Sequence, residues 1–138
     1  MSTEKEIREM LKGALGMTDE ELDKIAPDRR KMLVTVPAYM GYKLVAECIS
    51  SEHCFAQIKV GDKLVFDLNV LSKDESTAPA CIGALAPLME SIHIMWDRMA
   101  EGVDPNGLIF RTVSCFDPGL EHGGVGNVVF KLTAVKPG

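Results

Sequence analysis

The spacing of apolar residues predicts two helices near the N-terminus. A helix is expected over residues 3–15, ending at Gly16, because apolar residues recur there at helical intervals: Ile7, Met10, Leu11 and Ala14. A second, short helix is expected after Thr18, because Thr18 and Glu21 have the spacing of a capping box. Residues 29–42 allow two interpretations, since apolar residues alternate as in a strand but Pro37 and Gly41 interrupt the run.

Strand-like patterns begin at residue 43. Residues 43–49 favour a strand. Residues 58–60 lead into the turn residues Gly61 and Asp62, after which residues 63–67 resume extended character. Further strands are predicted over residues 108–115 and 128–135, separated by a glycine-rich loop.

The clearest helical pattern covers residues 80–100, and Pro79 suits the start of that helix. Its buried face is predicted to carry six apolar residues: Ile82, Leu85, Met89, Ile92, Trp96 and Met99. The order of elements predicts an α+β fold, with one long helix packed on a small antiparallel sheet or partly closed barrel. We expect a single domain, in which residues 1–42 form a helical extension and residues 43–138 form the α+β core.

Composition narrows the function classes. A chain of 138 residues with 46% hydrophobic and 25% charged residues is typical of one globular domain. The net charge of −5 disfavours contact with phosphate backbones, so we expect no nucleic-acid partner. The N-terminus has no apolar signal-peptide run, and no segment approaches the roughly 20 apolar residues of a membrane span. We therefore predict a cytoplasmic protein without a membrane partner.

Three of the four cysteines lie at the predicted boundaries of elements. In the cytoplasm, Cys54, Cys81 and Cys115 should be free thiols, metal ligands or redox groups rather than disulfides. Thiolates completed by a carboxylate or imidazole suit zinc or iron, and no other cofactor is indicated. The candidate additional ligands are Asp117, His122 and His53. The sequence has no Cys-x-x-Cys motif, so separate, inert thiols are the alternative.

Two metal-free functions stay open. Cys81, at the start of the long helix, or Cys115 could act as a nucleophile with His122 as the base. Alternatively, the N-terminal helices and their methionines could form the interface of a homo-oligomer or dock on a larger protein subunit. These methionines are Met10, Met17, Met32 and Met40.

A pattern over about residues 43–135 resembles a family of small uncharacterised prokaryotic proteins that is frequent in anaerobes. The pattern comprises Cys54, the Lys-Val-Gly-Asp run at residues 59–62, Pro79 and Cys81, Cys115 and Asp117, and Val-Phe-Lys at residues 129–131. Phe55 and Ile82 stand where family members often have proline and tryptophan. The resemblance implies that the three cysteines belong to one shared site. The leading hypothesis is therefore a small metal- or cluster-binding protein, an accessory subunit in anaerobic metabolism.

Overall fold

The computed structural model describes residues 2–138, apart from the side chain of Val36. It contains two compact units. One comprises the residues up to Met40 together with Asp97–Asp104, and the other comprises Gly41–Trp96 and Pro105–Gly138. The predicted division into residues 1–42 and 43–138 of a single domain stays a prediction.

The first unit contains three N-terminal helices: α1 at Glu4–Leu15, α2 at Asp19–Asp23 and α3 at Pro27–Leu33, followed by a 3-10 turn at Val36–Tyr39. The predicted capping box is confirmed, since the Thr18 hydroxyl accepts the Glu21 N–H and the Glu21 carboxylate accepts the Thr18 N–H. The strand-like alternation after residue 29 was misleading. Pro27 occupies the first turn of α3, where its fixed φ favours a helix.

The second unit is built on an open, five-stranded antiparallel sheet in the order β3-β2-β1-β5-β4. The strands are β1 at Lys43–Glu52, β2 at Lys63–Asp67, β3 at Val70–Leu71, β4 at Thr112–Ser114 and β5 at Asn127–Val135. The central strand β1 pairs with both β2 and β5, so segments from the two ends of this unit's sequence meet in one sheet. Residues 58–60, which lead into the turn at Gly61 and Asp62, lie in the connection between β1 and β2.

One face of this sheet carries the core. Alternate side chains of β1 are buried, and Ala46 lies opposite Leu64 on β2 and Leu132 on β5. Cys48 continues the same face opposite Phe130, after which a bulge shifts the register of β1. Each fully buried leucine or phenylalanine side chain of this face contributes about 1.5–3 kcal/mol to folding. The core therefore fixes which side chains of β1 and β5 face inward.

The long helix α4 spans Ile82–Ala100, close to the predicted 80–100. The predicted burial of Ile92 and Met99 is confirmed. The predicted burial of Ile82 and Met89 is wrong, because both side chains are exposed. The buried side chains of α4 are Ala84, Leu88, Ile92, Met95 and Met99. Apolar residues occur on both sides of this helix, so their spacing alone did not identify the inward face.

The architecture confirms the predicted α+β class: residues 2–138 contain four helices, one of them long, and an antiparallel sheet that does not close into a barrel. Within residues 2–138, no helix combines the length and apolar character required to cross a membrane.

Candidate functional site

A cavity of about 140 Å³ in the second unit brings together the three cysteines at element boundaries. It is lined by Cys54, Phe55, Ala56, Ile58, Cys81, Gly83, Ala84, Cys115, Asp117, Gly126, Asn127 and Val128. Each of the three cysteines is partly exposed. Three of the four thiols in the chain therefore share one predominantly apolar cavity, although they come from three distant segments.

Cys54 follows strand β1 at a reversal of the chain. His53 and Gln57 both have positive φ values, 49° and 62°, and the Cys54 carbonyl accepts the Gln57 N–H at 3.1 Å. The returning segment is anchored by buried Ile58, whose carbonyl accepts a hydrogen bond of 2.6 Å from the Ser51 hydroxyl. This tight turn holds Cys54 at the end of the sheet.

Cys81 precedes helix α4 and forms the start of its hydrogen-bonding ladder. Its carbonyl accepts the N–H groups of Ala84 at 3.0 Å and Leu85 at 2.8 Å. Ala84 is buried in the core of the unit, so the first turn of the helix is fixed. Cys81 thereby has a defined position at the edge of the cavity.

Cys115 is held by strand β5 and by helix α4. Its N–H donates to the Val128 carbonyl at 2.9 Å, and its sulfur accepts the Val128 N–H at 3.3 Å. The Asn127 amide lies 4.0 Å from the same sulfur. The next residue, Phe116, donates its N–H to the Gly83 carbonyl at 3.1 Å, which ties the Cys115 segment to the helix that begins after Cys81.

The Asp117 carboxylate organises the loop between Cys115 and β5. Oδ1 accepts the N–H groups of Gly119 at 3.0 Å and Val125 at 2.9 Å, and Oδ2 accepts that of Gly126 at 2.8 Å. These backbone donors lower the pKa of Asp117 because they stabilise the ionised carboxylate. Asp117 lines the cavity, but its oxygens are largely committed to the loop.

Two glycines allow this loop to close. A Cβ atom on Gly126 would lie 2.6 Å from the Glu52 carbonyl oxygen and still closer to that of His53. A Cβ atom on Gly124 would lie 2.7 Å from the Pro118 ring and still closer to the Asp117 carboxylate. The loop therefore packs directly on the backbone at the end of β1, next to Cys54. Sequence reasoning noted the glycines but missed this close approach.

Sequence reasoning also missed Asn127, which lines the cavity. Its amide donates to the Ser114 hydroxyl at 2.8 Å and to the Asp117 carbonyl at 2.6 Å, besides approaching the Cys115 sulfur. Its position between the glycine-rich loop and a predicted strand was the available signal, but nothing in the sequence indicated its partners.

The other predicted ligands lie outside the cavity lining. His122 is exposed, in a 3-10 turn at Leu120–His122, and His53 is exposed at the end of β1. Cys48, the fourth cysteine, is only 1% exposed, and its thiol donates to the Ser50 carbonyl at 3.3 Å. Burial raises the pKa of the Cys48 thiol and so disfavours the thiolate that a metal ligand requires, and we assign Cys48 to the core.

The cysteines surround the cavity without meeting at a point. Within residues 2–138, no group of three or more His, Cys, Asp or Glu side chains is arranged to hold a metal ion. The arrangement differs from a preformed zinc site, in which all ligand atoms lie about 2.0–2.3 Å from one centre. Three soft donors around an apolar space can bind a soft metal group or react as thiols.

The residue that follows each of the three cysteines in the sequence is apolar and exposed. Phe55 is 83% exposed, Ile82 is 79% exposed and Phe116 is 70% exposed. Of the three, Phe55 also lines the cavity, so the cavity reaches the surface beside its ring. Comparison with known proteins gives no match among family models, curated proteins or solved structures.

Proposed function

We propose that this protein binds an iron–sulfur cluster through the thiolates of Cys54, Cys81 and Cys115. The observation that carries the proposal is that these three thiols, and not the buried Cys48, line one cavity. Cysteine thiolates are the standard ligands of such clusters. The resemblance of the cysteine pattern to that of small proteins from anaerobes, where such clusters are stable, adds support.

The spread of the thiols favours a cluster over a single zinc or iron ion. Within residues 2–138, these side chains do not form a group arranged around one ion. In a [4Fe–4S] cluster, by contrast, each thiolate binds a different iron atom, so the sulfurs are spread around the group rather than placed on one centre. Thiols that surround a space fit this requirement better than they fit a tetrahedral ion.

The surroundings of Cys115 suit a cluster ligand. Its sulfur accepts the Val128 backbone N–H, and the Asn127 amide lies close to it. Hydrogen bonds to ligand sulfurs and limited access of solvent are the features by which proteins set cluster potentials. The first of these features is present at Cys115.

The cellular setting is part of the proposal. A protein of this kind would act in the cytoplasm as an accessory subunit in anaerobic metabolism, as a homo-oligomer or bound to a larger protein subunit. Support comes from the four cysteines, which are all free, as is usual for cytoplasmic proteins, and from the exposed apolar residues Phe55, Ile82 and Phe116. Anaerobic gel filtration with light scattering tests the oligomer, which a monomer at all concentrations would contradict.

The decisive test is the composition of protein purified without oxygen and without a metal-binding affinity tag. We expect iron and acid-labile sulfide in near-equal amounts, together with broad visible absorption that disappears in air. Zinc without sulfide would indicate a site for a single ion instead of a cluster. Protein that stays folded but retains neither metal nor sulfide, even after anaerobic incubation with iron and sulfide, would refute the proposal.

A further inference from the structure

We infer that the edge strand β4 pairs with β4 of a second copy of this chain, so that the sheet continues across a two-fold axis centred at Val113. The inference deepens the homo-oligomer of the proposed function and rests on that part of it, but it does not involve the cluster. Within residues 2–138, the sheet ends at β4, and no further strand lies beside its outer side. Such an open edge presents unpaired backbone N–H and C=O groups, which are a template for another strand.

The backbone hydrogen bonds of the β4 segment show which residues face the open edge. The Arg111 carbonyl accepts a β5 N–H at 2.7 Å, and the Cys115 N–H donates to a β5 carbonyl at 2.9 Å. Alternate residues of an antiparallel strand bond to the same neighbour, so Thr112 and Ser114 direct their backbone groups away from β5. The edge closes at Phe116, whose N–H donates to a carbonyl in the first turn of α4 at 3.1 Å. The open edge therefore comprises Thr112 and Ser114.

The sequence around β4 is self-complementary. Residues 110–116 read Phe-Arg-Thr-Val-Ser-Cys-Phe, so a hydroxyl residue and then a phenylalanine recur in mirror order about Val113. Antiparallel pairing centred at Val113 places Thr112 opposite Ser114 of the second copy, and the two-fold axis generates this contact twice. In this register both edge-facing residues of each strand bond to the partner. It also places Phe110 opposite Phe116 of the second copy.

The side chains that this pairing brings together are exposed and apolar. Exposure alternates through residues 110–116, so the even-numbered residues lie on the exposed face and the half-buried, odd-numbered residues lie on the other. Phe110 is 79% exposed and Phe116 is 70% exposed. Aromatic side chains bury about 150–250 Å² each. The four rings of two copies therefore supply roughly half of the 1,200 Å² at which specific interfaces begin, which predicts a weak, reversible dimer.

Charge is compatible with this register. Among residues 110–116, Arg111 carries the one charged side chain, and its guanidinium donates to the Asn106 side chain of its own chain at 3.3 Å. Pairing centred at Val113 places Arg111 opposite Cys115, whereas pairing centred at Arg111 would oppose two cations. The mirror order of residues 110–116 suits a partner with the same order, so a second copy is the occupant of the edge.

The first test measures the monomer–dimer dissociation constant of the full-length, reduced protein by analytical ultracentrifugation. Thr112→Pro removes an N–H that faces the open edge and leaves the hydrogen bonds to β5 in place, an orientation in which edge strands tolerate proline. Thr112→Val, the matched control, keeps that N–H. We expect a concentration-dependent dimer in the wild type, a dissociation constant at least tenfold higher in Thr112→Pro, and an unchanged one in Thr112→Val. Circular dichroism should show the same folded spectrum for all three.

A second set of variants tests the register and does not depend on the tolerance of proline, because the side chains concerned are exposed. Phe110→Glu and Phe116→Lys should each weaken the dimer at least tenfold. The heterodimer of Phe110→Glu with Phe116→Lys should be at least fivefold tighter than that of Phe110→Glu with Phe116→Gln, because the new carboxylate then lies opposite an ammonium group. Equal affinities of the two heterodimers would overturn the register.

The outcomes separate this inference from the proposed function. A dimer that Thr112→Pro and the Phe110 and Phe116 variants leave unchanged would overturn pairing through β4 and leave the homo-oligomer standing. A wild-type protein that is monomeric at all concentrations would overturn both of these. Either result leaves the cluster proposal standing, because iron and sulfide are measured independently of the dimer.

Discussion

Substitution of Gly126 by alanine tests whether the glycine-rich loop builds the cysteine cavity. The new methyl group would lie 2.6 Å from the Glu52 carbonyl oxygen, whereas ordinary contacts begin near 3.4 Å. The loop and the end of β1 would have to separate by about 0.8 Å, and by more at His53. Both obstacles are backbone atoms, so no side chain can turn away to make room. The separation would also strain the hydrogen bond between the Gly126 N–H and Asp117.

Overpacking of this kind costs about 1–3 kcal/mol, and the rigid surroundings place Gly126→Ala towards the upper end. For a chain of this length, roughly 3–4 °C of melting temperature corresponds to 1 kcal/mol. We therefore expect the melting temperature of the metal-free protein to fall by about 6–10 °C in calorimetry or circular dichroism. Because the cavity wall moves, the variant should also bind less than half of the wild-type iron after anaerobic reconstitution.

Gly83→Ala is the matched control. Gly83 also lines the cavity, but its new methyl group would lie 3.7 Å from the Cys81 sulfur, which is an ordinary contact. Gly83 lies within helix α4, where alanine is favoured over glycine by up to about 1 kcal/mol. The control should be as stable as the wild type or more stable. If the Gly126→Ala variant were as stable as the wild type and bound as much iron, the close packing of the loop on β1 would be refuted.

Three further predictions concern Asp117, the cysteines and the first unit. Asp117→Asn should lower the melting temperature at neutral pH but have progressively less effect below about pH 4. The reason is that a carboxylate with a lowered pKa stabilises the fold above its ordinary pKa and loses that contribution on acidification. A difference in melting temperature between variant and wild type that persists undiminished at pH 2.5 would contradict this assignment. In metal-free protein, mass spectrometry after iodoacetamide treatment should find Cys48 unmodified until unfolding, whereas the partly exposed thiols react; rapid modification of Cys48 would show that it is not a core residue. Thr18→Ala should cost about 1 kcal/mol in urea unfolding, and Thr18→Ser, which keeps the hydroxyl, should cost much less; equal losses would argue against the capping box.

The elements with strong local signals could be predicted from the sequence. The capping box of Thr18 and Glu21 and the apolar, β-compatible residues of β1 and β5 are local features, so they are visible in a single chain. The inward face of α4 could not be read in the same way. Ile82 and Met89 are as apolar as the buried residues of the helix, so the spacing of apolar residues does not tell which side of the helix is covered.

The candidate site could be predicted only in part. Placing Cys54, Cys81 and Cys115 at element boundaries selected the three thiols that line the cavity. The loop geometry depends on contacts between distant segments, such as Gly126 with the carbonyl of His53, and no local pattern reports them. For the same reason, Asp117 looked like a free ligand in the sequence, although its carboxylate accepts three N–H groups of its own loop.

The central claim, a cluster held by three named thiolates, is tested most directly by the iron content of single cysteine variants. Each variant is produced and purified without oxygen, and its iron and sulfide are measured per folded chain. We predict that most of the iron is lost in Cys54→Ser, Cys81→Ser and Cys115→Ser, and that Cys48→Ala, the buried control, keeps the wild-type amount. Wild-type protein without iron, or an equal loss in the Cys48→Ala variant, would contradict the account.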